Sequence, residues 1–142
     1  MTQAGKIIVE FALEGLNFET AGMASSNIKK KLQQVGVKAE VIRNVAIAAY
    51  EAEINVIIHA HKGIIKAHIF SDRTEIFVDD EGPGIPDIEL ALQEGFTTAT
   101  EEIRAIGFGA GMGLPNMRRC SDEFEINSQI NVGTNIHMVF YH

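Results

Sequence analysis

The stretch Ala49-Tyr50-Glu51-Ala52-Glu53-Ile54-Asn55 lies inside an apolar segment with helical spacing, for which we predict a helix from Lys38 to Ala60. Glu51 and Asn55 are four residues apart, so a helix places them on one face, among alanine and isoleucine neighbours. An amide oxygen can complete the coordination of a Mg²⁺ ion that keeps water and phosphate ligands. A carboxylate can accept a proton from an attacking hydroxyl. An exposed polar pair has the same spacing, so this stretch alone leaves both interpretations open.

A glycine-rich run, Asp79-Asp80-Glu81-Gly82-Pro83-Gly84, follows directly on an apolar segment that we predict to be a strand over 74–78. Glycine lets the backbone approach a ligand closely and adopt unusual φ values. Asp80, at the end of the strand, can accept a hydrogen bond from an amino group such as that of adenine. The same pattern also occurs in ordinary turns, and that alternative stays open for this run.

A second glycine-rich run, Gly107-Phe108-Gly109-Ala110-Gly111-Met112-Gly113-Leu114-Pro115-Asn116, precedes a predicted helix over 114–120. Successive backbone N–H groups and the positive end of a helix both favour an anion, so the run predicts a phosphate cradle. The Gly-Lys-Ser/Thr ending of a P-loop is missing, and a long loop rather than a strand precedes the run, unlike the dinucleotide fingerprint. A flexible structural loop is the alternative.

The remaining pattern predicts one α+β domain over residues 1–142, with strands on one side and helices on the other. Residues 95–113 lack a hydrophobic period and predict a long loop, which in a compact domain is usually functional or disordered. A short helix is expected after Pro86, a residue suited to the first helical position. The further predicted helix is 18–35, and the further strands are 6–13, 64–70, 123–128 and 134–141.

The composition is that of a soluble globular protein, with 142 residues, 46% hydrophobic residues and a net charge of −7. This charge argues against non-specific nucleic-acid binding but leaves room for an anion held by backbone N–H groups. The apolar stretch 45–60 is too short and too polar to span a bilayer. Cys120 is the only cysteine, and no basic segment followed by an apolar run opens the chain. We therefore expect no secretory signal, no zinc site and a cytoplasmic location.

The order of these motifs, completed by Gly133-Thr134 in the last strand, resembles that of the GHKL (Bergerat-fold) ATPase superfamily from Val45 to the end of the chain. That resemblance implies a two-layer α/β sandwich with a mixed sheet, helices packed on one face, and an ATP lid. Within the superfamily, the sequence is most similar to the anti-sigma-factor and switch-protein serine kinases of the RsbT, RsbW and SpoIIAB type. The similarity to the RsbT type lies in Gly82-Pro83-Gly84-Ile85-Pro86-Asp87-Ile88, Glu94-Gly95-Phe96-Thr97-Thr98, Gly109-Ala110-Gly111-Met112-Gly113-Leu114-Pro115 and Asp122-Glu123-Phe124. The segment Asn55-Val56-Ile57-Ile58-His59-Ala60 resembles the RsbW and SpoIIAB type.

The resemblance implies roles for individual residues in binding ATP or ADP with Mg²⁺. Glu51 would be the base that activates a substrate serine, and Asn55 would hold Mg²⁺ against the triphosphate. Asp80 would recognise the adenine amino group, and Thr134 would support the adenine end. His59 would face the phosphates, with a buried or rim histidine as the structural alternative. The other nucleotide-contacting residues implied are Gly82, Gly84, Gly107, Gly109, Gly111, Gly113 and Leu114.

The loop 95–113 becomes the ATP lid under this resemblance. Arg104 is a candidate contact for the γ-phosphate, with a solvated arginine as the alternative. The segment Thr100-Glu101-Glu102-Ile103-Arg104-Ala105-Ile106 makes this lid longer than we expect for the switch kinases. The resemblance therefore does not imply the geometry of the lid or how the lid discriminates between ADP and ATP.

The implied function is that of a serine/threonine kinase, an anti-sigma regulatory factor or switch kinase that phosphorylates a STAS-domain antagonist of the anti-anti-sigma or stressosome type. A sigma factor, a phosphatase and a second copy of the chain are further partners that the resemblance allows, whereas nucleic acid and membranes are not expected. One alternative is a nucleotide-dependent binding protein that sequesters a sigma factor or regulator with little kinase activity. The other is a detached histidine-kinase catalytic domain acting on a separate phosphoacceptor chain.

Overall fold

A computed structural model of the chain describes residues 6–93, 99–101 and 112–142. A single 3₁₀ turn, Phe18–Thr20, follows the first strand. The other elements, in chain order, are β1 (Ile7–Glu14), α1 (Met23–Gln34), α2 (Ala39–His59), β2 (Lys62–Ile69), β3 (Arg73–Glu81), α3 (Ile88–Ala91), α4 (Gly113–Cys120), β4 (Glu123–Gln129) and β5 (Gly133–Tyr141).

The five described strands form one sheet in the order β1-β2-β3-β5-β4. The predicted α+β class and two-layer arrangement are confirmed, but every pairing between these strands is antiparallel, where a mixed sheet was expected. The reason lies in the β4–β5 hairpin. Because β5 inserts between β3 and β4, the strand β4, which runs in the same direction as β3, never pairs with it.

One face of the sheet forms the hydrophobic core. Alternate residues along β2, β3 and β5 point to this face, as the period of a strand requires, and Ile65, Ile76 and Met138 are fully buried there. The helices α1, α2 and α4 cover it with their own apolar stripes, which include the fully buried Ile28 and Met117. No helix within the described ranges is long and apolar enough to cross a membrane.

The opposite face of the sheet is more exposed and carries an ion-pair cluster. Arg73 donates from Nε to Glu75 at 2.8 Å, and His137 Nε2 lies 2.7 Å from the other Glu75 oxygen. The ring of Phe77 stacks on His137 with centroids 4.4 Å apart. Burial acts to raise the pKa of Glu75, but the hydrogen bonds from His137 and Arg73 outweigh it and lower this pKa below its ordinary value.

The predicted start of the first helix was wrong. The helix expected from residue 18 begins only at Met23, because Ala21 is extended and Gly22 adopts a φ of +92°, which interrupts the helical path. The short helix expected after Pro86 is present and begins at Ile88, so Pro86 is not its first residue. Its N-cap is Asp87, whose side chain accepts a hydrogen bond from the N–H of Leu90 at 3.1 Å, as a capping aspartate should.

Candidate functional site

The helix α2 carries three of the predicted site residues at four-residue intervals. Glu51, Asn55 and His59 are each partly buried, and they share one face of the helix because 3.6 residues complete a turn. Burial lowers the pKa of the His59 imidazole, so its neutral form is favoured near neutral pH. Whether His59 faces phosphate stays a prediction.

The first turn of α4 lies against the carboxylate of Glu51. Asn116 donates a hydrogen bond from Nδ2 to Glu51 Oε2 at 2.9 Å. A Cβ built on Gly113 would stand 3.9 Å from Glu51 Oε1, at van der Waals distance. The buried side chains of Leu114 and Met117 hold α4 in the core on the side of the helices. The predicted residue Gly113 thus lies near the predicted base, whereas the side chain of Leu114 packs into the core.

The carboxylate of Asp80, at the end of β3, is held by β5. The N–H of Thr134 donates to Asp80 Oδ1 at 3.0 Å. Burial raises the pKa of Asp80, the hydrogen bond from Thr134 acts in the opposite direction, and the charge of Asp79 raises it further. A carboxylate offers about four acceptor positions on two oxygens, so Asp80 retains capacity to accept from a ligand amino group. The predicted pair Asp80 and Thr134 is therefore in direct contact.

The glycine turn after β3 packs against the β4–β5 hairpin and the end of α2. Gly84 has a φ of +79°, and a Cβ there would be 2.5 Å from the carbonyl oxygen of Gln129. A Cβ on Gly82 would lie 3.0 Å from the Cα of Ala60. Close approach of backbone to backbone therefore requires glycine at position 84 and leaves little room for a side chain at position 82, so both glycines have a packing role. Their contact with a nucleotide remains a prediction.

Gly63, the second residue of β2, lies between Asp80 and the buried Val56 of α2. A Cβ built on Gly63 would lie 2.9 Å from Val56 Cγ1 and 3.2 Å from Asp80 Cβ. The strand-end carboxylate therefore sits beside the last turns of the helix that carries Glu51 and Asn55. The grouping of Asp80 with the side chains of Glu51 and Asn55 around one nucleotide stays a prediction.

Other predicted site residues lie outside the described ranges. They are Gly107, Gly109, Gly111 and Arg104, together with most of the expected lid. Within that lid only residues 99–101 and 112–113 are described. Thr100 and Glu101 are exposed there, whereas Ala99 is buried.

Sequence reasoning missed two residues that contact the site. Asn116 is the last residue of the second glycine-rich run, and its side chain donates a hydrogen bond to Glu51. Ser128 on β4 accepts a hydrogen bond from the N–H of Ile85 at 2.7 Å and lies 2.9 Å from the hydroxyl of Thr134. The available signals were the position of Asn116 one helical turn after Gly113, and the spacing of Ser128 and Thr134 across a predicted hairpin.

A sequence profile of the histidine kinase-like ATPase domain matches residues 18–140. The chain belongs to this family. Membership of this ATPase family implies nucleotide binding, and the family predicted from the motif order is confirmed. The match includes α2, the glycine turn after β3 and the strand β5, which together hold the described part of the site.

Two curated relatives show which members of this family the chain resembles in sequence. It is 41% identical over 113 residues to the anti-sigma F factor of Caldanaerobacter subterraneus subsp. tengcongensis, covering 76% of each chain. It is 35% identical over 99 residues to the serine/threonine-protein kinase RsbT of Bacillus subtilis, covering 67% of this chain and 68% of that one. The structure of the mycobacterial sensor histidine kinase MprB matches with a TM-score of 0.56 at 15% identity, over 95% of this chain and 97% of that one, which shows a shared fold.

Proposed function

We propose that this protein is an ATP-dependent serine/threonine kinase that acts as an anti-sigma regulatory factor or switch kinase and phosphorylates a STAS-domain antagonist protein. Its similarity to proteins named anti-sigma F factor and serine/threonine-protein kinase RsbT supports this proposal. The observation that carries it is the position of Asp80, fixed by Thr134 beside the last turns of the helix that bears Glu51 and Asn55.

The adenine end of the nucleotide would lie at Asp80. With the N–H of Thr134 on one carboxylate oxygen, the carboxylate accepts from the exocyclic amino group of adenine. Guanine presents a carbonyl oxygen at the corresponding position, and a carbonyl facing a carboxylate is repelled. This arrangement therefore selects adenine nucleotides over guanine nucleotides.

The phosphate end would lie between α2 and the start of α4. Asn55 supplies an amide oxygen, a ligand type that suits Mg²⁺ held mainly by water and phosphate, and the ion would neutralise charge on the triphosphate. Gly113 and Leu114 open α4, where backbone N–H groups and the helix dipole favour an anion. Gly107, Gly109 and Gly111 would extend this cradle along the lid.

In the proposed reaction, Glu51 accepts the proton of the substrate serine as the serine oxygen bonds to the γ-phosphorus. The bond between that phosphorus and the β,γ-bridging oxygen breaks, and ADP leaves with the bridging oxygen. The protein contributes mainly position and charge neutralisation to such a transfer. We place this reaction in the cytoplasm, in keeping with a chain that has one cysteine.

Replacement of Glu51 by glutamine tests the proposed base. We expect transfer of labelled γ-phosphate from ATP to the serine of a STAS-domain protein to fall by a factor of about 10² or more. The affinity for ADP, measured by calorimetry, should be unchanged. Glu40→Gln, at the exposed start of the same helix, is the matched control and should retain transfer. Undiminished transfer by Glu51→Gln would contradict the role of Glu51, and acid-labile phosphate on the partner would indicate a histidine kinase.

A second candidate function is capture of a sigma factor with little phosphotransfer, since several relatives carry the name anti-sigma F factor. A second copy of the chain could complete such a complex. Pull-down of labelled sigma factor in the presence of ATP or ADP tests this candidate. Strong capture without phosphate on any STAS-domain partner would favour it over the kinase.

A further inference from the structure

The side-chain amide of Asn116 lies between two charged groups of opposite sign. Its nitrogen donates to the carboxylate of Glu51 at 2.9 Å, and its oxygen accepts from the guanidinium of Arg119. A carboxylate only accepts and a guanidinium only donates, so a single orientation of the amide satisfies both neighbours. Arg119 thus fixes the orientation in which Asn116 presents a donor to Glu51.

The first turn of α4 lies beside the carboxylate of Glu51. Gly113, at the start of α4, lies next to Oε1. At the end of α4, the pKa of Cys120 is raised first by burial and also by the charge of Glu51, against an opposing effect of Arg119. With Asn116 on Oε2 and Gly113 next to Oε1, the carboxylate faces the first turn of α4, and Asn116 is its hydrogen-bond donor there.

A glutamate side chain has three rotatable bonds, and a base must stand within hydrogen-bond reach of the hydroxyl from which it takes a proton. Glu51 is only partly buried, so packing restricts the end of its side chain less than it would in the core. The bond from Asn116 holds one oxygen and thereby sets the direction of the other. This constraint comes from α4 and is independent of the helix that carries the base.

We propose that Asn116 is a positioning residue of the phosphotransfer reaction, which holds the carboxylate of Glu51 in the orientation that accepts the serine proton. The proposal rests on the role of Glu51 proposed above. It assigns to Asn116 an effect on the rate of transfer and none on nucleotide affinity, because the bond acts on the base.

Three substitutions of Asn116 separate its hydrogen bond from its volume. Asn116→Leu keeps the size without a donor, Asn116→Asp keeps the shape but adds a like charge, and Asn116→Gln keeps the amide on a longer stem. We measure kcat and KM for transfer of γ-phosphate from Mg-ATP to the serine of a STAS-domain protein and to water, and the Kd of ADP. We expect Asn116→Leu to lower kcat by about 10- to 100-fold, with the KM for ATP and the Kd of ADP unchanged.

Asn116→Asp should lose at least as much activity, and Asn116→Gln should recover part of it. In the Glu51→Gln background, Asn116→Leu should cause no further loss. Wild-type kcat for Asn116→Leu, alongside an inactive Glu51→Gln, would overturn the positioning role and leave the proposed function standing. An equal change in kcat and ADP affinity would also overturn it, since that pattern reports a structural role. Full activity of Glu51→Gln would instead reject the proposed base.

Discussion

The buried carboxylate of Glu53 on α2 caps the first turn of α1 by accepting a hydrogen bond from the N–H of Ala24 at 3.0 Å. Its other oxygen accepts from the N–H of Ser25 at 3.1 Å. The residue at the N-cap is Gly22, which has no side chain to satisfy these groups. Because the first-turn N–H groups of a helix lack partners within the helix and attract negative charge, Glu53 supplies from α2 the cap that α1 lacks.

Replacement of Glu53 by glutamine should destabilise the fold. The substitution keeps the size but turns one acceptor oxygen into a donor that faces a buried N–H, at a cost of about 1–3 kcal/mol in the free energy of unfolding. Urea denaturation measures this change. Glu10→Gln is the control, since Glu10 is exposed on β1 and its Oε1 lies 4.0 Å from Lys66 Nζ. This variant should change the free energy of unfolding by less than about 0.5 kcal/mol. Equal stability of the two variants would contradict the capping role.

A methyl group on Gly133 should disrupt the Asp80 site. A Cβ there would lie 2.0 Å from the carbonyl oxygen of Asp80, so β5 or the end of β3 must move. We expect Gly133→Ala to lose about 1–3 kcal/mol through overpacking and also to lose ADP affinity. Gly36→Ala is the matched control: its φ is +79°, but nothing lies within 4 Å of the added Cβ. Gly36→Ala should lower the free energy of unfolding only by the backbone strain of about 1–2 kcal/mol and should leave the affinity for ADP intact. Unchanged ADP affinity in Gly133→Ala would contradict this account of the Asp80 site.

Removal of the Ser128 hydroxyl should weaken nucleotide binding without slowing the chemical step. Ser128 joins the N–H of Ile85 to the hydroxyl of Thr134, and so ties the glycine turn to the strand that holds Asp80. Loss of a hydrogen bond worth about 0.5–1.5 kcal/mol predicts a rise of about 2- to 12-fold in the KM for ATP in Ser128→Ala. Steady-state kinetics should show an unchanged kcat. Ser26→Ala, exposed on α1, should change neither constant.

Acidification should act in opposite directions on stability and on nucleotide binding. Burial raises the pKa of Asp80 above its unfolded value, so within the window between the two values the folded state binds more protons. The contribution of Asp80 to the free energy of unfolding therefore falls as pH rises through this window. ADP binding should instead strengthen as pH rises, because the adenine amino group needs the charged carboxylate as acceptor.

Thermal unfolding of the wild type and of Asp80→Asn across mildly acidic pH, with and without ADP, measures both effects. The difference between the two proteins isolates the contribution of Asp80 from other titrating groups and from the phosphates of ADP. Parallel pH profiles for the two proteins, with or without ADP, would contradict this assignment.

The fold was largely predictable because its local patterns agree with its packing. The structure contains both the predicted alternation of apolar residues along the strands and the predicted apolar stripe of α2, because both patterns follow from which side chains are buried. The start of α1 was mispredicted because its capping group, Glu53, is 29 residues away from Ala24. The antiparallel sheet was missed because the insertion of β5 beside β3 is set by long-range packing.

The site was predictable where a motif is local. Glu51 with Asn55 and the glycine turn after Asp80 could each be found within a few residues of sequence. The contact of Asn116 with Glu51 spans 65 residues and depends on how α4 crosses α2. A helical-spacing rule within one segment cannot reveal such a contact between two helices.

The central claim is that Asp80 recognises the adenine of a bound nucleotide, and calorimetric titration of the wild type and of Asp80→Asn with ADP and Mg²⁺ tests it most directly. In Asp80→Asn, the amide oxygen still accepts from Thr134, and the amide nitrogen then faces the adenine amino group, donor against donor. We predict saturable ADP binding to the wild type and an affinity about 10- to 100-fold weaker for Asp80→Asn. No binding heat from folded wild-type protein, or equal affinity in the two proteins, would contradict the account.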